Sequence, residues 1–309
     1  VNYADYVNQI ATLAVVPTTD TNFLIILPQA INYAQLRMQR DIDFLSTQVY
    51  DSVSYTTTSG SNLVTIPTAA FITLQTIQIN NSGVNYPLTP VAKEYIQSVY
   101  NSTASTGVPS VFAVYGGDSA TTGNTSQYIL LGPYPNASYP LTLTGTVHAA
   151  PLGYLPPIST VTAANLVATI TFSAPHNLVT GNTVYLGNFS PVGYNGPFTC
   201  TVTNSTVITI PLAYTYGNPT SIGYAANGNN SNFISTYLPD MFIAASMIYI
   251  GGYQRNFSTT GADPQMPVNY EQQYQALLKG AMVEEYRKKF QSSAWGSQSP
   301  SPIATPPRG

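Results

Sequence analysis

The sequence predicts an α+β protein. It has a bundle of about four helices from the N- and C-terminal segments, a β module between them, an inserted small all-β domain and an extended C-terminal arm. Three observations carry this. Between Ser52 and Pro239 the only charged residues are Lys93, Glu94 and Asp118, and all the others sit near the two ends. In those ends apolar residues recur at steps of three and four, the period of an amphipathic helix. In the middle the period falls to two, and Gly, Pro and Asn punctuate short Thr- and Val-rich runs. Helices carry long charged side chains well whereas strands favour β-branched ones, so the division of charge is a division of architecture.

Tyr3 to Val15 reads as a short helix. After a turn at Pro17 to Asn22, Pro28 sits where a first helical residue is tolerated, and Ile31, Ala34, Met38, Ile42 and Leu45 keep the helical step over about five turns. From Val49 to Asn80 the period is two: Val53, Tyr55 and Thr57, a Ser59-Gly60 turn, Leu63 to Ile66, then Phe71 to Ile79, giving three strands. Thr89-Pro90 is expected to open a helix to about Tyr100, with Thr as cap and Pro in the first position. Strands follow at Ser110 to Tyr115, Gln127 to Leu131 and Tyr139 to Val147.

The stretch from Ser159 to Gly228 contains no Asp, Glu, Lys or Arg. Its runs Val167 to Phe172, Thr183 to Leu186, Phe198 to Val202 and Val207 to Ile210 have the spacing of a small sandwich or barrel. Helical pattern resumes at Leu238-Pro239-Asp240. Met241 to Ile250 is apolar on all sides and is expected to stop at Gly251-Gly252, so this helix should be buried, with Met241, Ile243, Met247 and Ile250 as core. A last helix spans about Pro267 to Gln291, with Tyr274, Leu278, Met282, Tyr286 and Phe290 along one edge and Glu284/Lys288 and Glu285/Lys289 paired at i,i+4. The expected domains are a core of residues 1–158 and 229–291, with its β module at about 49–150, an inserted domain at 159–228, and an arm at 292–309. The arm is Ser-, Pro- and Gly-rich and holds Trp295, Ile303 and Arg308, with no core of its own.

Composition narrows the function. Of 309 residues 44% are hydrophobic but only 7% charged, so Thr, Ser, Asn, Gln and 24 Tyr must keep the surface wet. Weak self-repulsion suits a protein that lives against neighbours. A net charge of −3 removes a basic footprint for nucleic acid. One cysteine, Cys200, permits no intrachain disulfide, and two histidines, His148 and His176, leave little for a zinc site. No apolar run reaches 18 residues, and the first residues lack a signal-peptide pattern, so production in a cytoplasm is expected, with no membrane partner.

Catalytic signatures are scarce. There is no G-x-G-x-x-G, no Lys followed by Ser or Thr, and no G-x-S-x-G. Asp41/Asp43 and Glu284/Glu285 are spaced so that helical neighbours point apart, and read as solvated charges, not an acid/base pair. His148 ends a strand, His176 precedes a turn, and Cys200 lies between Phe198 and Val202 as a small hydrophobe. No enzyme and no cofactor are expected.

One ordered series of short motifs is familiar. It begins with Gln29-Ala30-Ile31-Asn32-Tyr33-Ala34, Arg37 and Arg40-Asp41-Ile42-Asp43-Phe44-Leu45. Leu88-Thr89-Pro90, Glu94-Tyr95-Ile96, Gly107-Val108-Pro109, Phe112-Ala113-Val114-Tyr115-Gly116 and Pro135-Asn136-Ala137 follow, then Leu238-Pro239-Asp240-Met241. Together they resemble the head-to-tail adaptor (connector) proteins of tailed bacteriophages, outside residues 159–228 and the tail. Within 159–228, Ser173-Ala174-Pro175-His176-Asn177-Leu178 and Tyr194-Asn195-Gly196 are similar to small β modules inserted into phage structural proteins.

The resemblance implies a virion protein at the capsid–tail junction: a homo-oligomeric ring, typically a dodecamer, seated under the portal protein and continuing the DNA channel toward tail tube, nozzle or tail-fibre proteins. DNA would pass without sequence-specific binding, and ejection would run through the ring. Trp295, Ile303 and Arg308 would form a portal-docking arm. The alternative is a receptor- or glycan-binding virion surface protein, favoured by Tyr and Asn on β loops and opposed by the long terminal helices.

Overall fold

A computed structural model describes residues 1–66, 71–116, 127–254 and 266–293. The chain divides into two compact units, one of residues 1–43 and 150–309, the other of residues 44–149.

The first unit begins with α1 (Tyr3–Leu13) and α2 (Thr21–Asp41). Asn2 caps α1 and Asp20 caps α2, its carboxylate accepting the Phe23 amide at 2.8 Å. Pro28 therefore lies inside α2 and does not open it; the Asp20 cap starts the helix seven residues earlier than Pro28 alone suggests.

The second unit holds β1 (Gln48–Thr56), β2 (Leu63–Ile66), β3 (Thr73–Asn81), β4 (Val84–Pro87), β5 (Thr89–Pro90), α3 (Lys93–Val99), β6 (Thr106–Gly107), β7 (Val111–Gly116), β8 (Gln127–Gly132), β9 (Tyr134–Pro135) and β10 (Pro140–Thr146). Two four-stranded sheets, β1-β10-β3-β4 and β2-β8-β7-β5, share a core that includes Ile66, Ile77, Phe112, Ile129, Leu131 and Leu143. Alternation assigns the faces: Ile129 and Leu131 enter that core, whereas Leu130 turns to the opposite face, beneath Ile96 of α3. Thr89-Pro90 starts no helix. Its two residues pair parallel with β7, the Thr89 and Val91 amides bonding Ser110 and Phe112 carbonyls, and α3 begins at Lys93. The sheet satisfies backbone groups that a helix start leaves open.

Returning to the first unit, β11 (Ile158–Ala164), β12 (Val167–Phe172), β13 (Thr183–Gly187), β14 (Gly196–Thr199), β15 (Thr201–Val202), β16 (Val207–Pro211) and β17 (Tyr224–Asn227) form a sandwich of sheets β11-β12-β16-β15 and β14-β13-β17. The run from Phe198 to Val202 is two strands, not one. β14 pairs with β13 and β15 with β16, so the chain changes sheets at Cys200, which is buried in the core with Phe172, Leu186 and Ile208.

The chain ends in α4 (Phe233–Tyr237), α5 (Pro239–Gln254) and α6 (Met266–Ser293). Helix α5 packs against α1, α2, α4 and α6. It continues through Gly251 and Gly252, and a Cβ at Gly251 would lie 3.0 Å from the Pro267 ring, so the glycine admits the start of α6.

The expected helical bundle is not the organising frame. Seventeen strands in five sheets stand against six α-helices among the described residues, so sheets frame both units. Strands β4, β11 and β17 and the two-residue strands β5, β6 and β9 lie where sequence alternation marks nothing. The sandwich is also continuous with the helices of its unit. Amides of Tyr3 and Ala4 bond the Asn230 and Gly228 carbonyls, and the Tyr3 ring meets that of Tyr185 edge-on at 5.3 Å.

Candidate functional site

A dense polar cluster lies on the seam between α2 and α6. Arg37 sits on the face of α2 that meets α6, and its guanidinium forks onto Glu271 with bonds of 2.8 and 2.6 Å. It also lies 4.2 Å over the Tyr274 ring and 3.8 Å from Asp41, one turn further along α2. The Tyr274 hydroxyl donates to Asp41 at 2.6 Å. The bond from Arg37 holds the Glu271 carboxyl below its usual range, and the same pair holds Arg37 above its own. Burial pushes the Tyr274 hydroxyl up, and its bond to the Asp41 carboxylate adds to the shift.

Beyond this lock, Arg40, Asp41, Ile42, Asp43, Met282, Glu285 and Tyr286 line a depression of about 240 Å³. Asp41, Asp43 and Glu285 thus share one rim, although their sequence spacing separates the two acidic pairs. Glu285 is 4% exposed and accepts from Lys288 at 2.8 Å; Lys288 also reaches Glu284 at 2.9 Å and lies 5.1 Å over the Phe233 ring. Lys288 thus reaches both carboxylates, and the Glu284/Lys288 pair stands at the i,i+4 spacing expected; the side chain of Lys289 lies outside the described residues.

Helix α6 buries Tyr274, Ala281 and Glu285, while Met282 and Tyr286 are exposed. The edge drawn through residues 274, 278, 282 and 286 is not the packed face. Steps of four advance about 40° each around a helix of 3.6 residues per turn, so Tyr286 has rotated away from the contact that Tyr274 makes.

In α5, Met241, Met247 and Ile250 are buried; Ile243 is half-buried and lines an open hollow of about 340 Å³ with Asn8, Gln9, Thr12 and Leu13 of α1. Trp295, Ile303 and Arg308 lie outside the described residues.

The remaining candidates have structural partners. His176 is buried; its Nδ1 accepts the Leu178 amide at 2.9 Å and its Nε2 lies 3.0 Å from the Asn204 carbonyl, which commits both ring nitrogens to backbone. His148 is exposed just past β10. Burial pushes the Cys200 thiol up, and its sulfur lies 3.8 Å from the Val179 carbonyl. Among the described residues no three His, Cys, Asp or Glu side chains converge as a metal requires. None of the described helices is long and apolar enough to cross a membrane.

A fold of two β-rich units, tied in one of them to long helices whose charges are largely spent on one another, has the character of a packing component. The chain belongs to the SU10 adaptor protein family, which it matches over residues 1–301. It is therefore a phage adaptor-type protein, a structural protein of the bacteriophage virion. The matched span includes residues 159–228, the segment set outside the resemblance on sequence alone. No curated protein matches the chain.

Proposed function

We propose that the chain is a non-enzymatic connector: copies of it form a ring, typically of twelve, that joins the portal protein at the capsid vertex to the tail and continues the DNA channel. The match to the adaptor family over residues 1–301 carries this reading. Physical features support it. With only 7% charged residues, many copies can pack side by side with little mutual repulsion, and a net charge of −3 per copy lets DNA slide past a ring without adhering. The exposed apolar residues of α6 and the hollow between α1 and α5 are suited to protein contacts. The segment 292–309, with Trp295 and Ile303 as anchors and Arg308 near its end, is the portal-docking arm in this reading.

The test is native mass spectrometry of the protein mixed with its cognate portal assembly, with a chain ending at Ser293 as control. A closed set of copies on the portal, lost on truncation, is the expected result. No complex from either chain would overturn the connector role.

A receptor- or glycan-binding role is the second reading, favoured by one observation. Tyr214 is 69% exposed on the uncharged sandwich, its ring edge-on to Tyr216 at 6.2 Å, an aromatic platform of the kind on which sugar rings stack. Binding of the whole protein to a glycan array, abolished by Tyr214→Ala, is the outcome that would favour it.

A further inference from the structure

Helix α6 carries a second stripe beside the one it packs on α5. Lys279, Met282, Val283, Tyr286 and Arg287 follow one another at i, i+3, i+4, i+7 and i+8, and all five are exposed, Val283 to 50% and Tyr286 to 69%. Neither Lys279 nor Arg287 forms an ion pair among the described residues. The stripe is apolar along its length and cationic at both ends.

Helix α1 presents the same spacing in Asp5, Asn8, Gln9, Thr12 and Leu13, again all exposed. The last four, with Ile243 of α5, line the 340 Å³ hollow. Asp5 stands one turn before Asn8 on α1, and the exposed Asp240 stands one turn before Ile243 on α5. The two helices run together here: Tyr6 stacks on Phe242 at 4.7 Å, and its hydroxyl donates to Ser246 at 2.6 Å. The residues that line the hollow are thus uncharged, and on each helix an exposed carboxylate stands one turn before them.

We propose that the α6 stripe of one copy docks in the α1/α5 hollow of a second copy of this chain. The charges select that occupant: Lys279 and Arg287 flank an apolar strip, Asp5 and Asp240 stand one turn before residues that line the hollow, and a second copy supplies both halves on the same compact unit. Tyr286, the largest exposed apolar side chain of the stripe, enters between Leu13 and Ile243, with Asn8, Gln9 and Thr12 as a polar rim. The contact is heterologous, because two different surfaces meet. Each copy offers one of each, and repetition of the same step generates a ring if the rotation closes. The proposal rests on the connector reading above and assigns it a subunit interface.

Charge reversal on each side, followed by mixing, tests it. One variant carries Lys279→Glu and Arg287→Glu; the other carries Asp5→Lys and Asp240→Lys, with Asp5→Lys alone as a milder hollow variant. All are full-length, checked by thermal melting, and examined by sedimentation velocity and native mass spectrometry, alone and on the portal assembly. Each variant by itself should assemble roughly tenfold or more weakly than the unaltered chain. An equal mixture should regain assembly, because the reversed stripe of one meets the reversed hollow of the other and the two unaltered surfaces meet in turn. Variants that assemble as well as the unaltered chain would overturn this interface and leave the connector reading standing. Variants that lose assembly without recovery on mixing would overturn the pairing of these two surfaces. An unaltered chain that stays monomeric both alone and on the portal would overturn the connector reading and the interface with it.

Discussion

The Tyr224 hydroxyl donates a 2.6 Å hydrogen bond to the carbonyl of Leu24. Leu24 is the residue four before Pro28, so its carbonyl is the one that Pro28, lacking an N–H, leaves without its helical donor. A side chain from strand β17 of the sandwich completes a helix 200 residues away in sequence. Burial pushes the Tyr224 hydroxyl above its usual range and keeps it a donor at any ordinary pH.

Tyr224→Phe removes that donor and leaves a carbonyl without a partner at the contact of α2 and β17. The expected loss is about 1–3 kcal/mol, the usual penalty for orphaning a buried polar group. In a Pro28→Ala background the new amide takes over the carbonyl, and the same substitution should cost much less. Urea unfolding of the four chains, treated as a double-mutant cycle, measures the coupling.

The Arg37–Glu271 fork sets an acid limit. Because the folded carboxyl lies below its ordinary value, its contribution is fully present above the unfolded value of about 4.3 and is lost as pH falls through the folded one. The pair is part-exposed, so Glu271→Gln should lower stability at pH 7 by no more than about 1 kcal/mol. Once the pH lies below the depressed value of the folded carboxyl the two chains should melt together, and thermal scans across pH 2 to 7 test the convergence.

The turn between β11 and β12 places Asn165 and Leu166 at φ of 51° and 64°, the left-handed pair of a two-residue hairpin. Asparagine tolerates this; leucine does not, and Leu166 is exposed, so packing offers little compensation. Leu166→Gly should stabilise the chain by up to about 1 kcal/mol, read as a rise in melting temperature.

Cys200 reports on the sandwich core. As the single cysteine, buried and with a raised thiol, it should react with an alkylating reagent at least about a hundredfold more slowly in the folded chain than in denaturant. Intact-mass measurement of labelling over time gives the ratio. Fast labelling of the native protein would contradict the burial.

Strands with both a period of two and enough length were legible: the runs around Leu63, Ile129, Leu143, Ile170 and Ile208 stand in the sheets where alternation puts them. What local pattern missed depended on distant partners. Thr89-Pro90 has a good helix-start sequence and is drawn into a sheet by β7. Pro28 is acceptable inside α2 because of Tyr224. The Phe198 to Val202 run is uniform in sequence, yet its halves face different neighbours on either side of Cys200. The balance between helix and strand shifted for the same reason, since two-residue strands have no period to detect. At the site, the charged residues of α2 and α6 were visible but their pairing was not. Asp41 and Glu285 meet on one rim only because two helices from opposite ends of the chain lie together. The hollow beside Ile243 has no sequence signature, because α1 and α5 each contribute one wall.

The bond between Tyr6 and Ser246 joins residues 240 positions apart, so it can form only after nearly the whole described chain has left the ribosome. At synthesis rates of about 5–20 residues per second, α1 and α2 emerge roughly 10–50 s before the helix that covers them. Residues 44–149, which contact mainly one another, are complete well within that interval and can fold first. The newborn apolar faces of Tyr6, Ile10, Leu27 and Ala34 must therefore wait uncovered, and a chaperone that binds early-exposed hydrophobic helices has a defined window in which to act on this chain.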